Sequence, residues 1–183
     1  MKSNGIDLEL WGDVKEVVQQ DPEEARVIVR TVHRWVGGFG IEGRSKEIES
    51  AGDITPRTFE FKTDWPEEAG GANRGPSPGE ALLGALAGCV GLSYVASALN
   101  RGIEIDQLEI EIAGKADLGS VFAAGNAFPG LSEVDILVKV RSDAGDHILT
   151  ELGEAATRTS TVFNSLASPV PIRLNVARVP DVQ

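Results

Sequence analysis

The chain has 183 residues but only one cysteine, one methionine and two histidines. A lone cysteine excludes an intramolecular disulfide framework and any multi-cysteine metal site. With two histidines and no H-x-x-x-H pair, a transition-metal site has no support, and no metal is expected. Positive charge is also scarce. Lys and Arg number 17 against 28 Asp and Glu, a formal net charge of −11. Nucleic acid and anionic membranes are recognised through basic patches, so neither is expected as a partner. The N-terminal stretch "MKSNGIDLELWGDVKE" lacks an unbroken apolar core and a small-residue cleavage site. It does not read as a secretory leader, and a cytoplasmic location is expected. Cofactor signals are missing too. "GGFGIEG" (37–43) has no G-K-[ST] and no predicted helix after it, and Ser160 and Ser165 lie in no nucleophile elbow. No cofactor is expected.

What is present suits one ordinary globular domain: 42% of residues are hydrophobic and 25% charged. Leu8, Trp11, Val14, Val17 and Val18 recur at spacings of three and four, which predicts an amphipathic helix over 8–20, broken at Pro22. Residues 25–35 alternate Val27, Val29, Thr31, His33 and Trp35 against Ile28, Arg30, Val32 and Arg34, a strand with two different faces ended by Gly37–Gly38. Short strands are expected near 45–50 and 57–63, then a Gly/Pro/Asn-rich loop over 64–77. Strong alternation over 103–116 and 132–142 predicts two more strands. The segment between them, 117–131, reads as a long apolar-tinged loop and a candidate lid. A helix over 143–159 with Asp143 as cap, a turn at 159–169 and a closing strand over 170–179 complete an α+β chain.

The most informative stretch is "SPGEALLGALAGCVGLSYVASALNRG" (77–102). Ser77 and Glu80 form an S-x-x-E capping box, Pro78 occupies the first helical position, and Gly102 is a suitable stop. No charge falls between Glu80 and Arg101. A helix apolar on every side is covered on every side, and its length approaches that of a membrane span. Its many Gly, Ala and Ser residues favour a buried helix approached closely by another backbone. A domain of this size struggles to wrap it, so burial between two subunits is the simplest arrangement.

Cys89 sits in the middle of that helix. A free cysteine can simply fill space as a small hydrophobe. As a thiolate it is a nucleophile, but an apolar setting opposes ionisation. Glu80 lies nine residues earlier, ~13.5 Å along the axis and on the opposite face, so it cannot reach Cys89 within one helix. Ala85 and Ser93 share the cysteine's face. An activating cation must come from another segment or subunit, and Arg30, Arg34 and Arg44 are available. His33 reads as part of a strand wall and His147 as a solvated residue in a helix's first turn.

"GPSPGEALLGALAGC" resembles the helix-opening motif of the OsmC/Ohr family of thiol-dependent hydroperoxide-reducing proteins and their relatives. "RWVGGF" (34–39), "DWPEEAGGANRGPSP" and "STVFNSLASPVPIRLNV" (160–176) resemble that family's first-strand end, pre-helix loop and C-terminal signature. The helix over 8–20 is similar to the extension of the OsmC-like subgroup. The resemblance implies a helical extension over 1–22 and a single OsmC-like domain over 23–183. It implies antiparallel sheets around long buried central helices in an intertwined homodimer, with sites at the subunit interface. It makes Cys89 the peroxidatic cysteine, attacking a hydroperoxide and requiring an external thiol reductant. Arg44 or Arg34 would lower its pKa, with Glu80 as the nearby carboxylate. Two departures stand out. The family's resolving cysteine is replaced by Ser160. The glutamate that follows the helix-opening proline is replaced by Gly79, with Glu80 one residue later. The alternative is a non-catalytic dimer that binds an apolar small molecule at its interface and uses Cys89 for packing.

Overall fold

The computed structural model describes residues 1–126 and 128–179. The chain opens with a minimal hairpin, β1 (Lys2–Ser3) and β2 (Ile6–Asp7), which the sequence pattern did not announce. Helix α1 spans Leu8–Gln20, where the three-and-four periodicity places it, with the Asp7 carboxylate capping the N–H groups of Glu9 and Leu10. This N-terminal segment docks on the far end of the central helix. Trp11 Nε1 and Lys15 Nζ both donate to Asn100 Oδ1, and Asn4 Nδ2 donates to the Ile103 carbonyl.

A four-stranded antiparallel sheet follows. β3 (Val27–Trp35) pairs with β4 (Ile41–Ser50), which pairs in turn with β5 (Asp53–Pro56) and β6 (Glu60–Thr63). β4 starts four residues earlier than its alternation suggests, because a bulge at the register shift between Arg30 and Thr31 breaks the period. Beside the bulge, His33 lies across Gly43. A Cβ at Gly43 would stand 2.1 Å from the imidazole, so this strand position has room for nothing larger than glycine. The loop to the next helix contains a short 3₁₀ turn over Glu67–Ala69 and is pinned by a buried carboxylate. Asp64, 1% exposed, accepts from Arg74 Nε at 2.8 Å and from the Trp65 N–H. Arg74 also donates to the Gly37 carbonyl, and Trp65 stacks on Phe39 at 4.7 Å. Phe122, from the long loop after 117, lies 5.7 Å from the same indole.

Helix α2 (Pro78–Asn100) begins with the full capping box. It ends where Gly102, at φ +67°, adopts a conformation that favours glycine. By length and composition α2 could cross a membrane. Here one face is buried: Leu86, Val90, Tyr94 and Ala98 pack with Leu152 and Ala156. β7 (Gln107–Ala116) and β8 (Leu131–Arg141) form a hairpin whose inward residues, Ile110, Ile112, Ile136 and Val138 among them, close this core. The Tyr94 hydroxyl donates to the Leu149 carbonyl at 2.8 Å.

Four expectations need correction. The strand expected from 103 begins at Gln107. The helix expected from Asp143 begins at Asp146, because Ser142 Oγ accepts the Ala144 N–H and holds a turn there, leaving Gly145 as N-cap of α3 (Asp146–Thr159). The expected turn after it is a second helix, α4 (Thr161–Ala167), capped by Ser160. The closing strand has its alternation but no ladder. Ile172, Leu174 and Val176 are nearly fully exposed, since a strand needs a partner edge and among the described residues 170–179 pair with none.

Helix α2 is also not covered on all sides within one chain. Ala81, Leu82, Gly84, Ala85, Gly88 and Leu92 face outward, Leu92 at 71% exposure. The β3–β6 sheet likewise leaves Val27, Val29 and Trp35 in the open.

Candidate active site

Cys89 lies at the boundary between the covered and uncovered faces of α2 and is partly buried. Its neighbours come from the α3–α4 corner. The Val162 N–H points at the sulfur across 3.5 Å. Burial pushes the thiol up, but hydrogen bonding from the α3–α4 corner outweighs it, and the thiol sits below its ordinary value. This stabilisation is local and polar. It does not depend on the N-terminus of α2, which is too distant to act.

The corner is held rigidly. Ser160 is fully buried, and its Oγ accepts the Phe163 N–H at 3.2 Å. The Asn164 amide donates to the carbonyls of Thr157, Arg158 and Ser160. The local pattern of 159–169 suggests a turn and hides both arrangements. The signal was there: a serine followed three residues later by an amide it can cap.

The other expected site residues lie elsewhere in the chain. Glu80 is consumed by the cap, where its carboxylate accepts the Ser77 N–H and hydroxyl at 2.7 Å each and is held below the usual carboxylate range. Arg34 pairs with Glu42 at 3.2 Å, and Lys62 approaches the same carboxylate. Arg44 lies beside them on the same sheet face, opposite Val32 of β3 and Glu60 of β6. It lines a cleft of about 590 Å³ together with His33, Phe61 and Lys62. Among the described residues Arg44 makes no ion pair, and neither arginine is among the groups touching Cys89. His33 meets Thr31 Oγ1 at 3.1 Å and leans on Phe61, as part of the strand wall. His147 is solvated beside Glu151. No cluster of His, Cys, Asp or Glu among the described residues could hold a metal ion.

A second cavity, also about 590 Å³, lies between α2, α3 and β8. Val90, Tyr94, Ile136, Val138, Leu149 and Phe163 make its walls apolar. Cys89 itself does not line this cavity, although its chain neighbour Val90 does.

An α+β chain with one polarised thiol on a long central helix, met by a capped second helix, defines a narrow class of protein. The sequence profile of the family described as OsmC-like protein matches residues 70–175. That span is more than half of the chain and contains Cys89 and the whole α3–α4 corner, and the chain belongs to the OsmC-like family. No curated protein matches it. Among solved structures, an OsmC-like protein from Mycoplasma pneumoniae superposes with a TM-score of 0.57 at 17% identity, covering 79% of this chain and 89% of the other. An OsmC-like protein of unknown function from Vibrio cholerae gives 0.51 at 12% identity, with 75% and 92% covered. An organic hydroperoxide resistance protein OsmC from Legionella pneumophila gives 0.51 at 12% identity, with 76% and 88% covered. At these identities the likeness establishes the fold.

Proposed function

We propose that this protein is a one-cysteine, thiol-dependent hydroperoxide reductase that works as a homodimer in the cytoplasm. The observation that carries the reading is the Val162 N–H aimed at the Cys89 sulfur across 3.5 Å, in a corner that holds the thiol below its ordinary value despite burial. A cysteine kept only for packing has no need of such a donor. The Legionella neighbour, named as an organic hydroperoxide resistance protein, supports the same class of chemistry.

In this reading the Cys89 thiolate attacks the distal oxygen of a hydroperoxide. A sulfur–oxygen bond forms and the O–O bond breaks. The sulfur is oxidised by two electrons to the sulfenic acid, and the alkoxide leaves and takes a proton to become the alcohol. An external thiol then condenses with the sulfenic acid, releasing water. A second thiol, or the other arm of a dithiol, breaks the mixed disulfide and restores Cys89.

The dimer supplies what one chain lacks. A second copy would cover the stripe through Gly84, Gly88 and Leu92, where a Cβ on either glycine meets nothing in its own chain. It would also bring a β3–β6 sheet, and with it a cation, toward the partner's thiol. Arg44 is the better candidate, since Arg34 is already neutralised by Glu42. Glu80 serves the helix cap, and residues 1–22 act as an extension docked on Asn100 beside the single domain of 23–183.

The apolar cavity beside α2 supports a second reading, a dimer that binds an apolar small molecule. Titration of the thiol in the native protein separates the two. Ionisation well below the free-thiol pKa of about 8.5, with consumption of an organic hydroperoxide, supports the reductase. A thiol silent until unfolding supports the binding protein.

A further inference from the structure

The bend between α3 and α4 is held by one exposed amide. α3 ends at Thr159 and leaves its last carbonyls without partners inside the helix. The Ser160 N–H satisfies Ala156 and the Thr159 hydroxyl satisfies Ala155, at 2.9 and 3.0 Å. The Thr157 and Arg158 carbonyls are met from α4, by the Asn164 side-chain amide at 3.0 and 3.3 Å. The same nitrogen lies 2.7 Å from the Ser160 carbonyl. All three partners are acceptors, so the group facing them is the amide nitrogen and not its oxygen. α4 itself has seven residues, too few for an isolated helix to persist. Its placement comes from such contacts, and its first turn is what carries the Val162 N–H to within 3.5 Å of Cys89 Sγ.

We infer that Asn164 is a positioning residue for Cys89, tying the end of α3 to α4 so that the Val162 N–H stays aimed at the sulfur. This rests on the reading of Cys89 as the nucleophile. A backbone donor held in place stabilises the thiolate more than the thiol, because a hydrogen bond to an anion is the stronger one. The corner has little else to offer. α4 carries no charge, and neither does α2 between Glu80 and Arg101. Glu154 and Arg158, the charges on α3 nearest the bend, are exposed and lie 3.9 Å from each other. The direction of one N–H therefore matters, and Asn164 acts on it through the backbone.

The test follows Cys89 ionisation across pH by the nitrogen and proton shifts of the Val162 amide and by alkylation rate. It compares the wild type with Asn164→Leu, Asn164→Gln and Leu152→Ala. Leucine keeps the branching of asparagine and removes the donor. Because Asn164 is exposed, the core is left intact. N164L is expected to raise the thiol's midpoint by about half a pH unit or more and to shrink the Val162 response, since a bond to a charged group is weakened. Oxidation by cumene hydroperoxide below the midpoint should slow about threefold, while the fully ionised thiol reacts as before. N164Q, which keeps an amide, should recover part of the shift. L152A opens the core where α3 packs on α2, and should lower stability without moving the midpoint. An unshifted N164L, or an L152A shifted as far as N164L, overturns the positioning role and leaves the reductase reading standing. A shifted N164L beside a wild type that hydroperoxide does not oxidise keeps the positioning role and sinks the reductase reading. If N164L does not fold, the wild type decides: a Val162 amide that stays still while the thiol titrates overturns the contact.

Discussion

The backbone N–H of Val162 stands 3.5 Å from the sulfur of Cys89, joining the first turn of α4 to the middle of α2 at the only thiol in the chain. Residues 73 positions apart thus make one small polar site inside an otherwise apolar corner.

In the proposed dimer the partner's sheet would bring a cation to that site. Arg44→Met is expected to raise the thiol's titration midpoint in the dimer, because a nearby positive charge favours the thiolate. Arg34→Met should do less, as Glu42 already balances Arg34. Alkylation rate against pH measures both. An unchanged profile in both variants would leave the α4 donors as the whole of the activation.

Oxidation by excess peroxide should not stop at a disulfide within the chain. With one thiol, the sulfenic acid passes to sulfinic and sulfonic forms when no reductant is present. Mass spectrometry of the peptide carrying Cys89 should show two and then three added oxygens. A Ser160→Cys, Gly79→Glu double variant should instead trap a disulfide and turn over with a dithiol. Position 79 has the space, since a Cβ there meets nothing nearer than Ser77 Oγ at 3.9 Å.

Gly88 and Gly91 separate the dimer from the fold. A Cβ at Gly91 would meet Ile110 Cδ1 at 3.0 Å, whereas one at Gly88 meets nothing in its own chain. Gly91→Leu should therefore strain the core of each chain by about 1–3 kcal/mol. Gly88→Glu should act at the subunit contact, where it would bury an unpaired charge. Sedimentation should show Gly88→Glu as monomer or aggregate. A native Gly88→Glu dimer would place the interface elsewhere.

Acid should loosen the loop that leads into α2. Arg74 beside Asp64 holds its carboxyl below the usual value, against the opposing effect of burial and with help from backbone N–H groups. A depressed folded-state pKa gives stability that is present above the ordinary carboxylate range and is lost as pH falls through the folded value. Thermal stability should therefore fall on acidification below about pH 4, and Asp64→Asn should flatten that dependence while lowering stability at neutral pH. In the core, Leu152→Ala should cost about 2–5 kcal/mol in denaturant unfolding, since Leu152 is fully buried against α2.

Much of this arrangement could be read from local pattern. Pro78, Ser77 and Glu80 announce the start of α2, and Val27 to Trp35 announce β3, because capping and alternation act over a few residues. The meeting of Val162 and Cys89 is a tertiary fact that no spacing encodes. Glu80 reads from the sequence both as a cap and as a site carboxylate, and the structure gives it the first role. The segment 170–179 shows the opposite failure. Its alternation at Ile172, Leu174 and Val176 is genuine, but no ladder forms there among the described residues, and these side chains stay exposed.

The most direct test of the account is one equivalent of cumene hydroperoxide added to the reduced, native wild-type protein, with intact mass and cumyl alcohol measured together. The expected result is one oxygen on Cys89 per molecule of alcohol formed, reversed by added dithiol with continued turnover. A folded protein whose Cys89 remains unmodified while the hydroperoxide persists would contradict it, and would make the cysteine a packing residue beside an apolar binding cavity.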